Sequence, residues 1–313
     1  MERGVTRLGA ELPYERAAET YTALTRIGIS AKSVEVITRR NGEALGEAMA
    51  KERAQAMAGN IEPPGPRGEK ETLPWGVSID GTSILTREGW KEVKLGAVFR
   101  FRKASDEVKA QGLSYCAGLW KAEGVGEALW AETRKRGIDA VYEDVEVGIG
   151  DGAAWIWDLM QTHYPYAAQI VDWYHAEERL WTVGQAVYGQ GAEKAKEWVE
   201  GRLTQLWDGN LLGVCHQIRG LKPRHSESKE AVRQALVYFT NQAHRMQYPF
   251  YREKGYPLGS GPVESACKNL VGARLKRGGM RWSDEGAQAV LNLRAELLSN
   301  RWDEAWQRLR QLQ

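Results

Sequence analysis

The sequence predicts an α/β fold: one mixed sheet, broken by an all-helical insertion and carrying helical extensions at its N- and C-terminal ends. Three observations lead there. Between Trp75 and His175, runs rich in β-branched and aromatic residues alternate with helical periodicity. From 176 to 250 strand signals vanish and apolar residues recur at three and four spacing. Before residue 60 and after residue 283 the spacing is helical again.

Taken in order, residues 1–60 form a helical N-terminal region. Within it, YERAAETYTALTRIGI and SAKSVEVITRRNGEALGEAMAKERAQAM are helices parted by Gly28-Ile29-Ser30. Helix, short turn, helix is the outline of a helix-turn-helix, with Lys32, Arg39 and Arg40 on the second helix; plain helical packing gives the same outline. Residues 61–74, with Pro63, Pro64, Pro66 and Pro74, read as a linker. The core begins at 75. GVSIDGTSIL, EVKLGAVFRF and GLSYCAGLW are strands, EGVGEALWAETRKRG a helix, and VEVGIGDGA and AAQIVDWYH strands around the helix WIWDLMQTHYP. Three strands, helix, strand, helix, strand over 75–175 is the order of an RNase H-like mixed sheet. Residues 176–250 are the helical insertion. Residues 251–313 return to the core with a basic helix and close with an amphipathic helix near 283–313.

At 313 residues the chain can hold one large domain with additions, or two domains. A net charge of +2 means that any nucleic-acid surface must come from local segregation of charge. Cys116, Cys215 and Cys267 form no CxxC pair, which argues against a zinc ribbon or a disulfide framework and for a reducing compartment. No apolar run approaches the ~18 residues of a membrane span, and the first residues lack a signal-peptide core, so a cytoplasmic location and no membrane partner are expected. Most of the 13 tryptophans are expected to pack; Trp282 is the candidate for stacking on a base. His163, His216, His225 and His244 show no ligand spacing, and Glu143, Asp144 and Glu146 read as solvated. Trp302 and Trp306, four apart, read as a packing face.

The chemistry concentrates in GSGPVESACKNLVGARLKRGGMRW, residues 259–282. Pro262 just inside a helix start places Glu264 in the first turn, followed by Lys268, Arg274, Lys276, Arg277 and Arg281 without another acid. Its partners are sought in two acid-glycine pairs, Asp80-Gly81 and Asp151-Gly152, at the ends of predicted strands. Each has a plain alternative: a turn at Asp80, a helix cap at Asp151, an ion pair of Glu264 with Lys268. Together, three carboxylates beside a basic surface suit divalent cations acting on a phosphodiester.

The order Asp80, Asp151, Glu264, 71 and 113 residues apart, with Asp172-Trp173-Tyr174-His175 between the last two, resembles the DDE transposases of bacterial insertion sequences, in the Mutator-related branch and nearest the ISKra group. The resemblance covers roughly residues 14 to 300. It implies that Asp80, Asp151 and Glu264 are both the catalytic residues and the ligands of two Mg²⁺ or Mn²⁺ ions that serve cutting and joining of DNA strands. It implies terminal inverted repeats and target DNA as partners, and a second copy of the chain. Lys268, Arg274, Lys276, Arg277, Arg281 and Trp282 would contact DNA. Asp172 also ends an apolar strand and competes for the place of second acid; the resemblance favours Asp151 and leaves Asp172 and His175 as a separate signature, His175 being either a partly buried hydrogen-bonding residue or a DNA contact. Members of the group usually carry a further N-terminal region, so a truncated, non-catalytic DNA-binding or assembly protein is the rival reading, and a nuclease that cuts without joining a third.

Overall fold

A computed structural model describes residues 1–59, 73–104, 107–138 and 145–312 of the chain. Most of the expected linker, residues 61–72, and the acids Glu143 and Asp144 lie outside the described residues. Helices α1 (Glu2–Glu11), α2 (Tyr14–Thr25) and α3 (Ala31–Met57) precede the antiparallel strands β1 (Trp75–Thr86), β2 (Gly89–Ala104) and β3 (Glu107–Gly118). Then follow α4 (Ala122–Lys135), β4 (Val145–Gly150), α5 (Ala154–His163) and β5 (Ala168–Val171). The strands form a single mixed sheet in the order β3-β2-β1-β4-β5, with β4 and β5 parallel to β1. The architecture is mixed α/β and mostly helical.

Alternation along β1 and β2 divides the molecule into two cores. Val77 and Ile79 of the central strand β1, with Val145, Val147 and Ile149 of β4, bury their side chains with α4, α5 and the insertion. Ile84, Val93, Leu95 and Ala97 face the opposite way, into a cluster with the C-terminal segments. The insertion comprises α6 (Trp173–Tyr188), α7 (Glu193–Trp207), α8 (Leu211–Arg219), α9 (Ser226–Asn241) and α10 (Tyr248–Lys254), and it shares the first core. The basic segment is α11 (Gly261–Ala266), a π-helical turn at Cys267–Gly272 and α12 (Ala273–Leu275). Helices α13 (Asp284–Leu298) and α14 (Trp302–Leu312) close the chain.

Several boundaries differ from the sequence reading for local reasons. The closing helix is two, because Asn300 takes a left-handed conformation (φ 57°). The break before α3 is made by left-handed Arg26, with Ser30 capping α3 through Ser33 N–H, and Gly28 has no such role. Helix α1 precedes the two helices picked out by their spacing and lies inside the N-terminal region expected to be helical. Its last carbonyls are answered by buried arginines from the far end of the chain: Arg274 donates to Gly9 O at 3.2 and 3.1 Å, and Arg294 to Ala10 O at 2.9 Å. Helix α3 lies against α13 so closely that a Cβ on Gly42 would stand 2.3 Å from the Ala289 carbonyl oxygen. Its Val34, Thr38, Asn41 and Leu45 are buried, while Lys32, Arg39 and Arg40 pair with Glu35, Glu43 and Glu2. Among the described residues no helix is long and apolar enough to cross a membrane.

Candidate active site

Three acids stand side by side across the parallel half of the sheet. Ser78 of β1 is opposite Ile149 of β4, and Asp80 and Asp151 each follow two residues on, near enough for the Asp151 charge to act on the Asp80 carboxyl. Gly150 is opposite Val171 of β5, and Asp172 N–H donates to Gly150 O at 2.9 Å, which puts Asp172 one strand further out. The sequence reading places Asp80 at a strand terminus; β1 instead runs on to Thr86 against β2, and what ends near Asp80 is the pairing with β4.

Each acid is held by a different device. Asp80 Oδ1 accepts from Gly81 N–H at 2.7 Å, and its Oδ2 receives the Cys267 thiol at 3.3 Å. Burial pushes the Asp80 carboxyl above the ordinary range; the Gly81 and Cys267 hydrogen bonds pull it back, the negative charge of Asp151 adds to the rise and His175 opposes it. Burial and the Asp80 charge likewise hold the Cys267 thiol up, so it stays protonated. Asp151 Oδ1 accepts from Ala153 N–H at 2.8 Å and thereby turns the chain into α5. Its loop is pinned from the insertion: Tyr238 Oη donates to Asp151 O and Gln242 Nε2 to Gly152 O, both at 2.9 Å. Gly152 is needed there, since its φ is 104° and a Cβ would meet the Tyr238 ring at 2.6 Å.

Asp172 is fully buried, and both of its carboxylate oxygens accept hydrogen bonds from the protein's backbone. Its Oδ1 caps α6 through Tyr174 N–H (2.6 Å) and His175 N–H (3.1 Å), while Oδ2 accepts from Ser260 N–H. Ser260 Oγ in turn donates to Glu264 Oε1 at 3.1 Å. Asp172 therefore ties the sheet to the start of α11 and orients Glu264. This Ser260 bond takes the place of the Glu264–Lys268 pair considered from sequence. Asp80, Tyr174, His175, Glu178, Glu264, Cys267 and Lys268 line one pocket of about 280 Å³. His175 Nδ1 is 3.6 Å from Glu178.

The basic segment divides in two. Lys268, Lys276, Arg277 and Arg281 are exposed; Lys276 reaches Thr82 of β1 and Arg277 Nε bonds Ala273 O at 2.7 Å. Arg274 and Trp282 are corrections. Arg274 is 1% exposed, its guanidinium 4.8 Å from the rings of Tyr14 and Trp282, and Trp282 is 7% exposed with its Nε1 donating to Leu275 O at 3.1 Å. Neither can touch DNA in this fold. The π turn starts at Cys267, directly after the Glu264 turn, and shifts the helix register between the pocket and Arg274.

Among the described residues no group of three or more His, Cys, Asp or Glu side chains stands ready as a metal cluster. The donors nevertheless fit a hard cation. Asp151 and Glu264 each use a single carboxylate oxygen in the protein's own hydrogen bonds, Asp80 gives its second oxygen only a thiol, and Asp80 carries the burden of a buried negative charge beside another. Sequence reasoning missed Ser260, Cys267, Tyr238 and Gln242. Ser260 and Cys267 lie in the segment already singled out, four before and three after Glu264, where helical spacing alone could have found them.

No protein-family model matches the chain, and no curated protein matches its sequence.

Proposed function

We propose that the chain is a metal-dependent DNA-strand transferase of the DDE type, built on an RNase H-like catalytic domain and serving a bacterial insertion sequence. The observation that carries this reading is the meeting of Asp80 and Asp151 at adjacent parallel strands, with Glu264 lining the same pocket as Asp80. The strand order β3-β2-β1-β4-β5, with only β2 antiparallel to the central β1, supports the RNase H-like assignment. On this reading residues 75–175 and 251–313 make the core and 176–250 an insertion that steadies the Asp151 loop.

Asp80, Asp151 and Glu264 would hold two Mg²⁺ or Mn²⁺ ions, which when bound activate the attacking oxygen and stabilise the leaving oxygen of an in-line displacement at phosphorus. The chain's own residues do the rest. Asp172 and Ser260 orient the Glu264 carboxylate, Tyr238 and Gln242 fix the backbone of Asp151, and Cys267 occupies Asp80 Oδ2 with a neutral donor. Lys268 at the pocket, and Lys276, Arg277 and Arg281 beyond it, offer cations to phosphates. The DNA partners would be the element's ends and a target, brought together by two copies of the chain.

The test compares wild type with Glu264→Gln on DNA fragments carrying the sequences that flank the gene, in Mg²⁺ or Mn²⁺. Wild type should give strand breaks and joined products; the variant should bind DNA equally and give neither. Equal activity would remove Glu264 from the site. Breaks without joining would favour the nuclease, and binding without breaks in wild type the non-catalytic reading.

A further inference from the structure

On the other side of the first turn of α11 from the acidic pocket lies a larger groove, of about 860 Å³. The two share a wall: Tyr174 lines both, Pro262 and Ser265 face the groove, and Glu264 and Cys267 face the pocket. The groove's character is different. Its floor is apolar, from β2 and β3, and its rim carries Tyr174, Trp207, Tyr256, Arg252 and Lys103, with Glu107 as the acid among the described lining residues.

The aromatic groups are held as platforms. Tyr174 is 64% exposed although its backbone is fastened by Asp172, and its ring lies on Gly259, where a Cβ would come within 2.9 Å of the Tyr174 Cε2. Trp207, 38% exposed, has Trp173 against it edge-on at 5.0 Å, and Trp173 is itself braced by Tyr248 at 4.9 Å. The Arg252 guanidinium stands 3.9 Å from the Trp207 ring centre and donates to Trp207 O, while its Nε is buried with no partner among the described residues. A rigid exposed ring, a stacked cation and a second cation at Lys103 match a chain of planar groups linked by anions. They match poorly a purely apolar peptide, which would leave Arg252 and Lys103 desolvated without partners.

Resting on the DNA reading above, we propose that this groove receives an unpaired DNA strand, whose bases stack on Tyr174 and on the Trp207–Arg252 platform as the strand passes over Tyr174 into the acidic pocket. Stacking of this kind is tolerant of sequence because every base presents a π face. The substrate at the site is then a strand already separated from its complement, and an intact duplex would be held by the exposed lysines and arginines alone.

Fluorescence anisotropy of a labelled oligothymidylate, and of a mixed-sequence duplex of equal length, tests this in EDTA, so that strand cutting plays no part. Tyr174→Ala and Trp207→Ala should each weaken binding of the single strand about five- to hundredfold, the range for loss of one stacked base, and leave duplex binding within twofold. Tyr174→Phe should retain wild-type affinity. Tyr174 is exposed, so its variants keep the fold whatever happens at Trp207. Equal losses on both DNAs, single-strand affinity unmoved by either variant, or wild type that binds duplex but not oligothymidylate would each overturn the groove and leave the DNA reading standing. Wild type that binds neither DNA would overturn both.

Discussion

Replacing Asp172 separates its role from that of the acids beside it. The carboxylate is buried and accepts from three backbone N–H groups: Tyr174 and His175 at the start of α6, and Ser260 before α11. Asp172→Ala removes a helix cap, costing about 1–2 kcal/mol. It also leaves the buried Ser260 N–H without an acceptor, which costs about 1–3 kcal/mol more. The expected loss is thus about 2–5 kcal/mol, measured as the shift in urea midpoint at constant slope. Asp172→Asn is more discriminating. Its amide oxygen can keep the α6 cap, but the amide nitrogen then faces Ser260 N–H, donor against donor, so about 1–3 kcal/mol is lost at the contact that orients Glu264. Strand-joining activity should fall while DNA affinity holds. An Ala variant within about 0.5 kcal/mol of wild type would refute the three-bond clamp. An Asn variant of unchanged stability that no longer responds to Mn²⁺ would put Asp172, not Asp151, in the metal site.

The sheet was legible because its signals are local. Apolar runs of β-branched residues read as β1, β2, β4 and β5, and the helical spacing after His175 reads as the insertion. Hidden were the features that arise between distant segments. Nothing near Arg274 in sequence says that its partner is Gly9, because the open carbonyls of α1 meet it only after the C-terminal helices fold back over the first residues. A run of cations in a helix therefore divides between solvent and core by which side of the helix the sheet covers. The π turn at Cys267–Gly272 upsets that count, since it displaces every later residue by one position relative to a regular α-helix. Trp282 was lost the same way: it closes the second core against Tyr14, far off in the chain. At the site, the approach of Asp80 and Asp151 follows from the parallel register of β1 and β4, whereas the supports from Tyr238 and Gln242 lie some 90 residues away and carry no motif.

Two further predictions address charge. Burial pushes the Glu296 carboxyl up, but the charge and hydrogen bonds of Arg301, with the charge of Arg308, outweigh it and hold the group below its ordinary value of 4.5. Its stabilising contribution is complete above that ordinary value and disappears as pH falls through the lower folded one. Urea midpoints taken across the acid range should therefore drop more steeply in wild type than in Glu296→Gln, which starts less stable because Arg308 and Arg301 lose a buried partner; parallel pH profiles would count against the network. The last prediction splits the basic segment. Arg281→Ala removes an exposed cation, so stability should stay within about 0.5 kcal/mol while the slope of log affinity for DNA against log salt falls by about 1. Arg274→Ala removes the guanidinium that meets Gly9 O and lies between Tyr14 and Trp282, so it should lower the melting temperature and leave the salt slope where it was, provided that affinity is measured below the melt. If Arg274→Ala flattened the salt dependence as much as Arg281→Ala while leaving stability alone, α12 would have to present the opposite face to solvent, and the packing of α1 against the C-terminal helices would be wrong.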